Sequence, residues 1–122
     1  AASYNEAELD GTDRQLDNVP KFNASLWATK GFALGGDVAL LVGGGVRHVG
    51  KNRSFGPAFP DGIVTPGFTL FDALTEVSFG NWSLAINATN LFDKRYYAAC
   101  LARGDCFMGS ERNVFGTVSY RF

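Results

Sequence analysis

The sequence predicts an all-β protein, an antiparallel meander of about six strands that fit a transmembrane sheet. The composition, the alternation of apolar and polar residues and the spacing of the connections support this prediction. The 122 residues include 15 Gly and 11 Phe but only one Met and one His, a balance that favours strands and turns over helices. No run of about 18 apolar residues could cross a bilayer as a helix. A chain of this length is expected to form one domain, residues 1–122.

Six extended segments follow one another along the chain. The first is fragmentary, and the second alternates cleanly except at Trp27, which falls among the polar residues. Three consecutive glycines in the third segment, residues 43–45, indicate a crowded or bent place in the sheet. The predicted strands cover residues 1–7, 21–30, 37–49, 68–79, 82–92 and 113–122.

The connections alternate between short and long. Tight turns are expected around residues 31–36, which include three glycines, and at Gly80 and Asn81. The long connections, residues 9–20, 50–67 and 93–111, are polar and contain Gly or Pro, and they all fall at the opposite end of the sheet. This alternation is typical of outer-membrane barrels, which have short periplasmic turns and longer extracellular loops.

Charged residues indicate which face of the sheet meets lipid. Alternation places Val38, Leu40, Ile86 and Val118 on an apolar side and Arg47, Asp72, Glu76 and Arg121 on the opposite side. The apolar side has ionisable groups only near strand ends, at Lys30, His48 and Arg112. Because a lipid-facing Arg or Lys at the bilayer centre costs roughly 2–4 kcal/mol, this distribution favours a transmembrane sheet. A soluble barrel would alternate in the same way, but the many Ala and Gly residues of the apolar face suit lipid better than a filled core.

Few residues suggest catalysis or metal binding. Cys100 and Cys106 could close a small loop as a disulfide, which would restrain it by roughly 2–3 kcal/mol, or they could bind metal. The metal alternative is weak because His48 is the only histidine and no second cysteine pair exists. The same lone histidine argues against a catalytic triad, so we expect no enzyme activity. The net charge of −1 argues against a nucleic-acid partner.

The chain resembles the C-terminal portion of TonB-dependent siderophore receptors, especially the ferrichrome type. The resemblance rests on NVPKFNASLW, LLVGGGVRHVG, FDALTEV, INATNLFDKRYYAAC, CFMGSERNV and the ending GTVSYRF. It implies that the chain forms the last strands of a 22-stranded barrel in the Gram-negative outer membrane, with the plug domain and the other strands outside this chain. The family often has a cysteine pair at this place, which supports a Cys100–Cys106 disulfide.

The resemblance also implies a function of binding and transport without chemistry. The expected partners are a ferric siderophore, which is the transported ligand rather than a cofactor, outer-membrane lipid, TonB acting through the plug, and the barrel-assembly machinery. The machinery would read the terminal strand, with Tyr120 and Phe122 as the assembly signal.

Aromatic residues in the long loops are the candidates for ligand contact, because a bulky chelate needs rigid, partly apolar surface. Girdle or packing roles are the alternative for each of them. The candidates are Phe55, Phe59, Tyr96, Tyr97 and Phe107. Since six strands cannot close a barrel alone, a small outer-membrane pore or structural protein that closes by oligomerising is a second functional hypothesis. A soluble ligand-binding barrel is the third.

Overall fold

A computed structural model describes residues 1–4, 6, 11 and 16–122 of the chain. Over these residues it contains ten strands, which build one sheet of six strands and two hairpins. No helix in the described part is long and apolar enough to span a membrane. The strands are β1 Ala2–Tyr4, β2 Phe22–Gly35, β3 Val38–Val49, β4 Asn52–Gly56, β5 Phe59–Thr65, β6 Phe68–Phe79, β7 Trp82–Thr89, β8 Tyr97–Cys100, β9 Cys106–Met108 and β10 Asn113–Tyr120.

The six-stranded sheet has the order β1-β2-β3-β6-β7-β10. The strands of this sheet therefore lie side by side in the order in which they occur in the chain, with the hairpins left out. The predicted all-β antiparallel meander is confirmed. The hairpins β4–β5 and β8–β9 form two separate two-stranded sheets. They lie within residues 50–67 and 93–111, so these two predicted connections do lie outside the six-stranded sheet, but each contains a hairpin that was not predicted from the sequence.

The predicted strand bounds are close for β3, β6 and β10 and less so elsewhere. β2 continues to Gly35 because the turn lies further along than expected, where Gly35 and Gly36 take left-handed conformations with φ of 97° and 59°. β7 ends at Thr89 because Asn90, with φ of 50°, leaves the extended conformation. The expectations for 1–7 and 9–20 fall partly on Asn5, 7–10 and 12–15, which lie outside the described residues.

Cross-strand pairing confirms the two faces of the sheet. Leu84 of β7 lies opposite Val77 of β6 and Val118 of β10, and these three residues are on one side. Glu76 lies opposite Ala85 and is therefore on the other side, as is Asp72, four residues earlier in the same strand. The apolar side is open, since Leu84 is 41% exposed and Val118 is 65% exposed. Such a continuous exposed apolar surface is typical of a membrane or protein contact.

Trp27 explains the consecutive glycines of β3. Its indole ring lies against the backbone at Gly43 and Gly45, so closely that a Cβ atom at Gly45 would clash with ring atoms. A Cβ atom at Gly44 would point to the other side, with its nearest neighbour, the carbonyl oxygen of Asp72, at 3.9 Å. The crowded place that the sequence predicted is therefore where the Trp27 ring packs against β3, on the polar side of the sheet.

Backbone contacts divide the chain into two compact units. The first, which we call the loop unit, comprises Ala1–Ser25, Arg47–Thr69 and Arg95–Ser110. The second, the sheet unit, comprises Leu26–Val46, Leu70–Lys94 and Glu111–Phe122. The loop unit contains both hairpins, and it is the unit in which the ligand-contact candidates lie.

Candidate functional site

The first hairpin of the loop unit, β4–β5, has one buried polar face. Asn52 lies opposite Thr65, and Ser54 lies opposite Ile63. Asn52, Ser54 and Thr65 are all buried, whereas Arg53 between them is exposed and donates a hydrogen bond to the carbonyl oxygen of Asp61 at 3.1 Å. Buried polar side chains need hydrogen-bond partners, so this face must be covered by something that supplies them.

The second hairpin, β8–β9, is closed by a disulfide. Cys100 lies opposite Cys106 in the register, and the two residues are bridged, with their Cα atoms 4.1 Å apart. The predicted disulfide is therefore present. Residues 103–105 of the turn between the cysteines are exposed and include an ion pair between Arg103 and Asp105. A bridge across so short a loop limits the conformations that the hairpin can adopt when its contacts are lost.

The two hairpins meet through the buried polar face of β4–β5. The backbone N–H of Cys100 donates to Thr65 Oγ1 at 2.8 Å, and that of Ala102 donates to Ser54 Oγ at 3.2 Å. A Cβ atom at Gly56 would lie 2.7 Å from Ala102 Cβ, so only glycine allows this approach. Each such hydrogen bond contributes about 1 kcal/mol net, and leaving either buried partner unsatisfied would cost more. The loop unit thus has a small core of its own, built on side chain to backbone hydrogen bonds.

Three of the predicted ligand-contact aromatics lie exposed on this braced pair of hairpins. Phe59 at the start of β5, Tyr97 at the start of β8 and Phe107 in β9 are 39%, 46% and 50% exposed. Met108, opposite Tyr97, is also exposed and extends the apolar surface. Rigid aromatic side chains on a restrained backbone can bind an apolar ligand surface with little loss of conformational entropy.

The other two candidates are half-buried. The ring of Tyr96 lies 4.2 Å from that of Phe68, centroid to centroid, and covers Gly109, whose backbone N–H donates to the carbonyl oxygen of Tyr96 at 2.8 Å. Phe55 lies close to Gly62, where a Cβ atom would be 2.9 Å from the ring. Both rings therefore pack within the loop unit and offer less surface to a ligand than the three exposed aromatics do.

In the sheet unit, the segment that follows β7 forms a rigid turn around Asn90. This buried side chain accepts a hydrogen bond from the Lys94 backbone N–H and donates one to the Lys94 carbonyl oxygen, both at 2.9 Å. The Asn90 backbone N–H donates to Asp72 Oδ1 at 3.0 Å, and Asp93 Oδ1 accepts from the Arg112 backbone N–H at 2.9 Å. The NLFDK part of the sequence is thus a structural turn that stops β7 and positions the residues after it.

The C-terminal aromatics cluster on the apolar side of the sheet unit. Tyr120 lies opposite Trp82, with ring centroids 4.8 Å apart, and Phe122 lies 5.4 Å from Tyr120. Phe122 is fully exposed. The opposite side at this end is a polar recess of about 820 Å³, lined by residues that include Glu76 and Arg121. Glu76 Oε1 accepts a hydrogen bond from the Ser83 hydroxyl at 3.0 Å.

Sequence reasoning missed the hairpin cores and Met108. The β-branched run Ile63, Val64 and Thr65 indicated a strand inside the first long connection, but the neighbouring Pro60 and Gly62 obscured it. The second hairpin carried no comparable local signal. Within the described ranges, no group of three or more His, Cys, Asp or Glu side chains could hold a metal ion.

The family model and the similar proteins that match this chain agree with one another. Residues 1–91 match the family described as TonB dependent receptor-like, beta-barrel. The chain is similar to the Ferrichrome outer membrane transporter/phage receptor of Escherichia coli strain K12, with 37% identity over 98% of this chain and 17% of that protein. It is also similar to the Ferrioxamine receptor of Yersinia enterocolitica, with 33% identity over 93% of this chain and 16% of that protein.

A solved structure agrees with these sequence relatives. The chain matches the open form of the Ferric-Catecholate import receptor Fiu from E. coli K12 with a TM-score of 0.70 and 25% identity. The match covers 84% of this chain and 16% of that one. The chain therefore spans about one-sixth of the length of the proteins that it matches.

Proposed function

The chain belongs to the TonB-dependent receptor β-barrel family, and from this membership we propose that it forms the last strands and two hairpins of a receptor that imports a ferric siderophore. Proteins of this family are β-barrels of the Gram-negative outer membrane. They are receptors and transporters, so the role we assign to this chain is binding without catalysis or a resident cofactor.

The exposed aromatic surface of the loop unit is the observation that carries this proposal. Phe59, Tyr97 and Phe107 are exposed on hairpins held by the Cys100–Cys106 disulfide. A flexible loop would have to be ordered when the chelate binds, and that ordering would reduce the affinity. Hairpins that are already braced avoid most of this cost, so aromatic side chains on them suit capture of a bulky ligand.

The relatives support the ligand class that we propose. Their names specify ferrichrome and ferrioxamine, and we assign a ferric siderophore of comparable size to the receptor that contains this chain. Release into the periplasm would use energy from TonB acting on a plug domain elsewhere in the receptor. This chain would supply part of the barrel wall and two of its loops. The apolar side of its sheet would face outer-membrane lipid.

Alanine substitutions in the full-length receptor test the binding role. We expect Phe107→Ala and Tyr97→Ala each to weaken the binding of ferrichrome or ferrioxamine B, whichever chelate the unchanged receptor binds, by about five- to thirtyfold, because each removes about 1–2 kcal/mol of buried apolar surface. Phe79→Ala is the matched control, since Phe79 is equally exposed but lies in the sheet unit. Fluorescence titration of the purified receptor measures the affinity.

Two outcomes would contradict the proposal. If the unchanged receptor binds neither ferrichrome nor ferrioxamine B, and if neither chelate restores growth under iron limitation, the proposed ligand class is wrong. If Phe79→Ala weakens binding as much as Phe107→Ala does, the loop aromatics are not the contact surface. An oligomeric pore or a soluble ligand-binding barrel, the two alternative functions, is not favoured by the family match.

A further inference from the structure

Among the loop-unit residues that the structure describes, two enclosed amide oxygens have no hydrogen-bond partner. They are Oδ1 of Asn18 and Oδ1 of Asn52. Asn52 is only 8% exposed. Because buried polar atoms are almost always paired with protein, water or an ion, two unpaired oxygens in one small unit require an explanation.

The two oxygens belong to segments that lie side by side. The backbone N–H of Asn18 donates to the carbonyl oxygen of Arg53 at 3.1 Å, which places residues 17–18 along β4. Ser54 Oγ donates to Asp17 Oδ2 at 3.4 Å. Since alternate residues of a strand share a face, Asn52 and Ser54 point to the side from which Asp17 approaches.

The two unpaired side-chain atoms, Asn18 Oδ1 and Asn52 Oδ1, are both acceptors. The Ser54 hydroxyl donates its hydrogen to Asp17 and accepts from the Ala102 backbone N–H, so it has no donor to offer the amides. A carboxylate and two amide carbonyls are the ligands that calcium prefers, and calcium tolerates the irregular geometry of loop sites better than magnesium does. Asp17 is exposed, which leaves a path by which an ion could enter.

We propose that the loop unit binds a calcium ion through Asp17, Asn18 and Asn52, with water completing the coordination. The ion would tie the segment before β2 to the hairpin β4–β5. A single carboxylate in the ligand set indicates weak binding, with a Kd of about 10⁻⁴ to 10⁻³ M, as in extracellular calcium modules. None of these three ligands is one of the exposed aromatic residues, so the siderophore titrations and the calcium titrations test the two proposals independently.

Calorimetric titration of the chelator-treated, full-length receptor with calcium chloride tests the site. Asp17→Asn keeps the shape of the side chain but removes the charge, and we expect it to weaken calcium binding at least tenfold. Asn52→Asp adds a second carboxylate and should tighten binding about tenfold. Asp61→Asn is the matched control, because Asp61 is an exposed carboxylate of the same unit, and it should leave the affinity unchanged.

A second measurement separates an ion from a buried water molecule. Without calcium, Asn52→Asp should open the segment around residues 16–20 to hydrogen exchange, because two carboxylates then repel each other, and calcium should restore protection. A water site predicts the loss of protection without the recovery. The proposal is overturned if calcium does not recover protection in Asn52→Asp, if Asp17→Asn binds calcium as the unchanged receptor does, or if no binding is found at about ten times the expected Kd.

Discussion

The sheet unit and the loop unit are stabilised in opposite ways. In the sheet unit, large apolar side chains such as Leu84 and Val118 are exposed on one side, and few side chains are buried. In the loop unit, Asn52, Ser54 and Thr65 are buried, and a disulfide closes the neighbouring hairpin. The sheet unit thus has a whole side of exposed apolar residues, whereas the loop unit is built around a group of enclosed polar ones.

The proposal that the sheet unit lies in lipid and the loop unit in water accounts for this difference. A strand in lipid has its backbone groups paired along the ladder, so its apolar side chains need no protein core. A hairpin in water whose strands are only three to seven residues long cannot bury enough apolar surface to be stable alone. Side chain to backbone hydrogen bonds and a covalent bridge replace that surface in the loop unit.

The largest expected loss of stability comes from an arginine at Leu84 of β7, compared with an arginine at its neighbour Ala85. We expect Leu84→Arg to destabilise the folded receptor in lipid by about 2–4 kcal/mol, because it places a charge on the side that we propose faces lipid. Ala85→Arg is the control, since Ala85 lies on the polar side opposite Glu76 and should cost less than about 1 kcal/mol. Urea unfolding in lipid vesicles measures both, and equal losses would show that the apolar side does not face lipid.

Removal of the disulfide is expected to affect the loop unit alone. We expect the double change Cys100→Ser with Cys106→Ser to lower the stability of β8–β9 by about 2 kcal/mol, because the closed loop is short. Hydrogen exchange should then accelerate at the Cys100 and Ala102 amides, which hydrogen-bond to β4–β5. Protection of the Leu84 amide is the internal control, and its loss would mean that the two units unfold together.

Substitution of neighbouring glycines in β3 tests the packing of Trp27. We expect Gly45→Ala to cost about 1 kcal/mol, the low end of overpacking, because the half-exposed indole can move partly aside. Gly44→Ala should be nearly neutral, since its methyl group would meet no atom closer than 3.9 Å. In a protein that also carries Trp27→Ala, Gly45→Ala should no longer reduce stability. If Gly44→Ala and Gly45→Ala reduce the stability of the otherwise unchanged protein equally, the structure is contradicted.

The terminal phenylalanine should have the smallest effect on stability. Phe122 is fully exposed, so we expect Phe122→Ser to lower unfolding stability by no more than about 1 kcal/mol. Its proposed role as an assembly signal predicts a much larger fall in the amount of receptor that reaches the outer membrane. Normal abundance together with a large loss of stability would instead make Phe122 an ordinary packing residue.

Much of the sheet could be predicted because its signals are local. The charge-free alternation of β7 and β10 identified the side of Leu84 and Val118 that the register confirms. The candidate site was predicted less completely. The five aromatics were chosen by residue type, but only the packing of Tyr96 on Phe68 separates half-buried rings from exposed ones.

The sequence by itself determined the strand period, the two faces of the sheet and the family, since these depend on neighbouring residues and on motifs continuous in the chain. Only the tertiary structure decided that the long connections fold into two hairpins with a polar core. The contacts responsible join residues 35 and 48 positions apart, Cys100 with Thr65 and Ala102 with Ser54. No local pattern encodes such a pairing, because each hairpin is too short to be stable before the other covers its polar side chains.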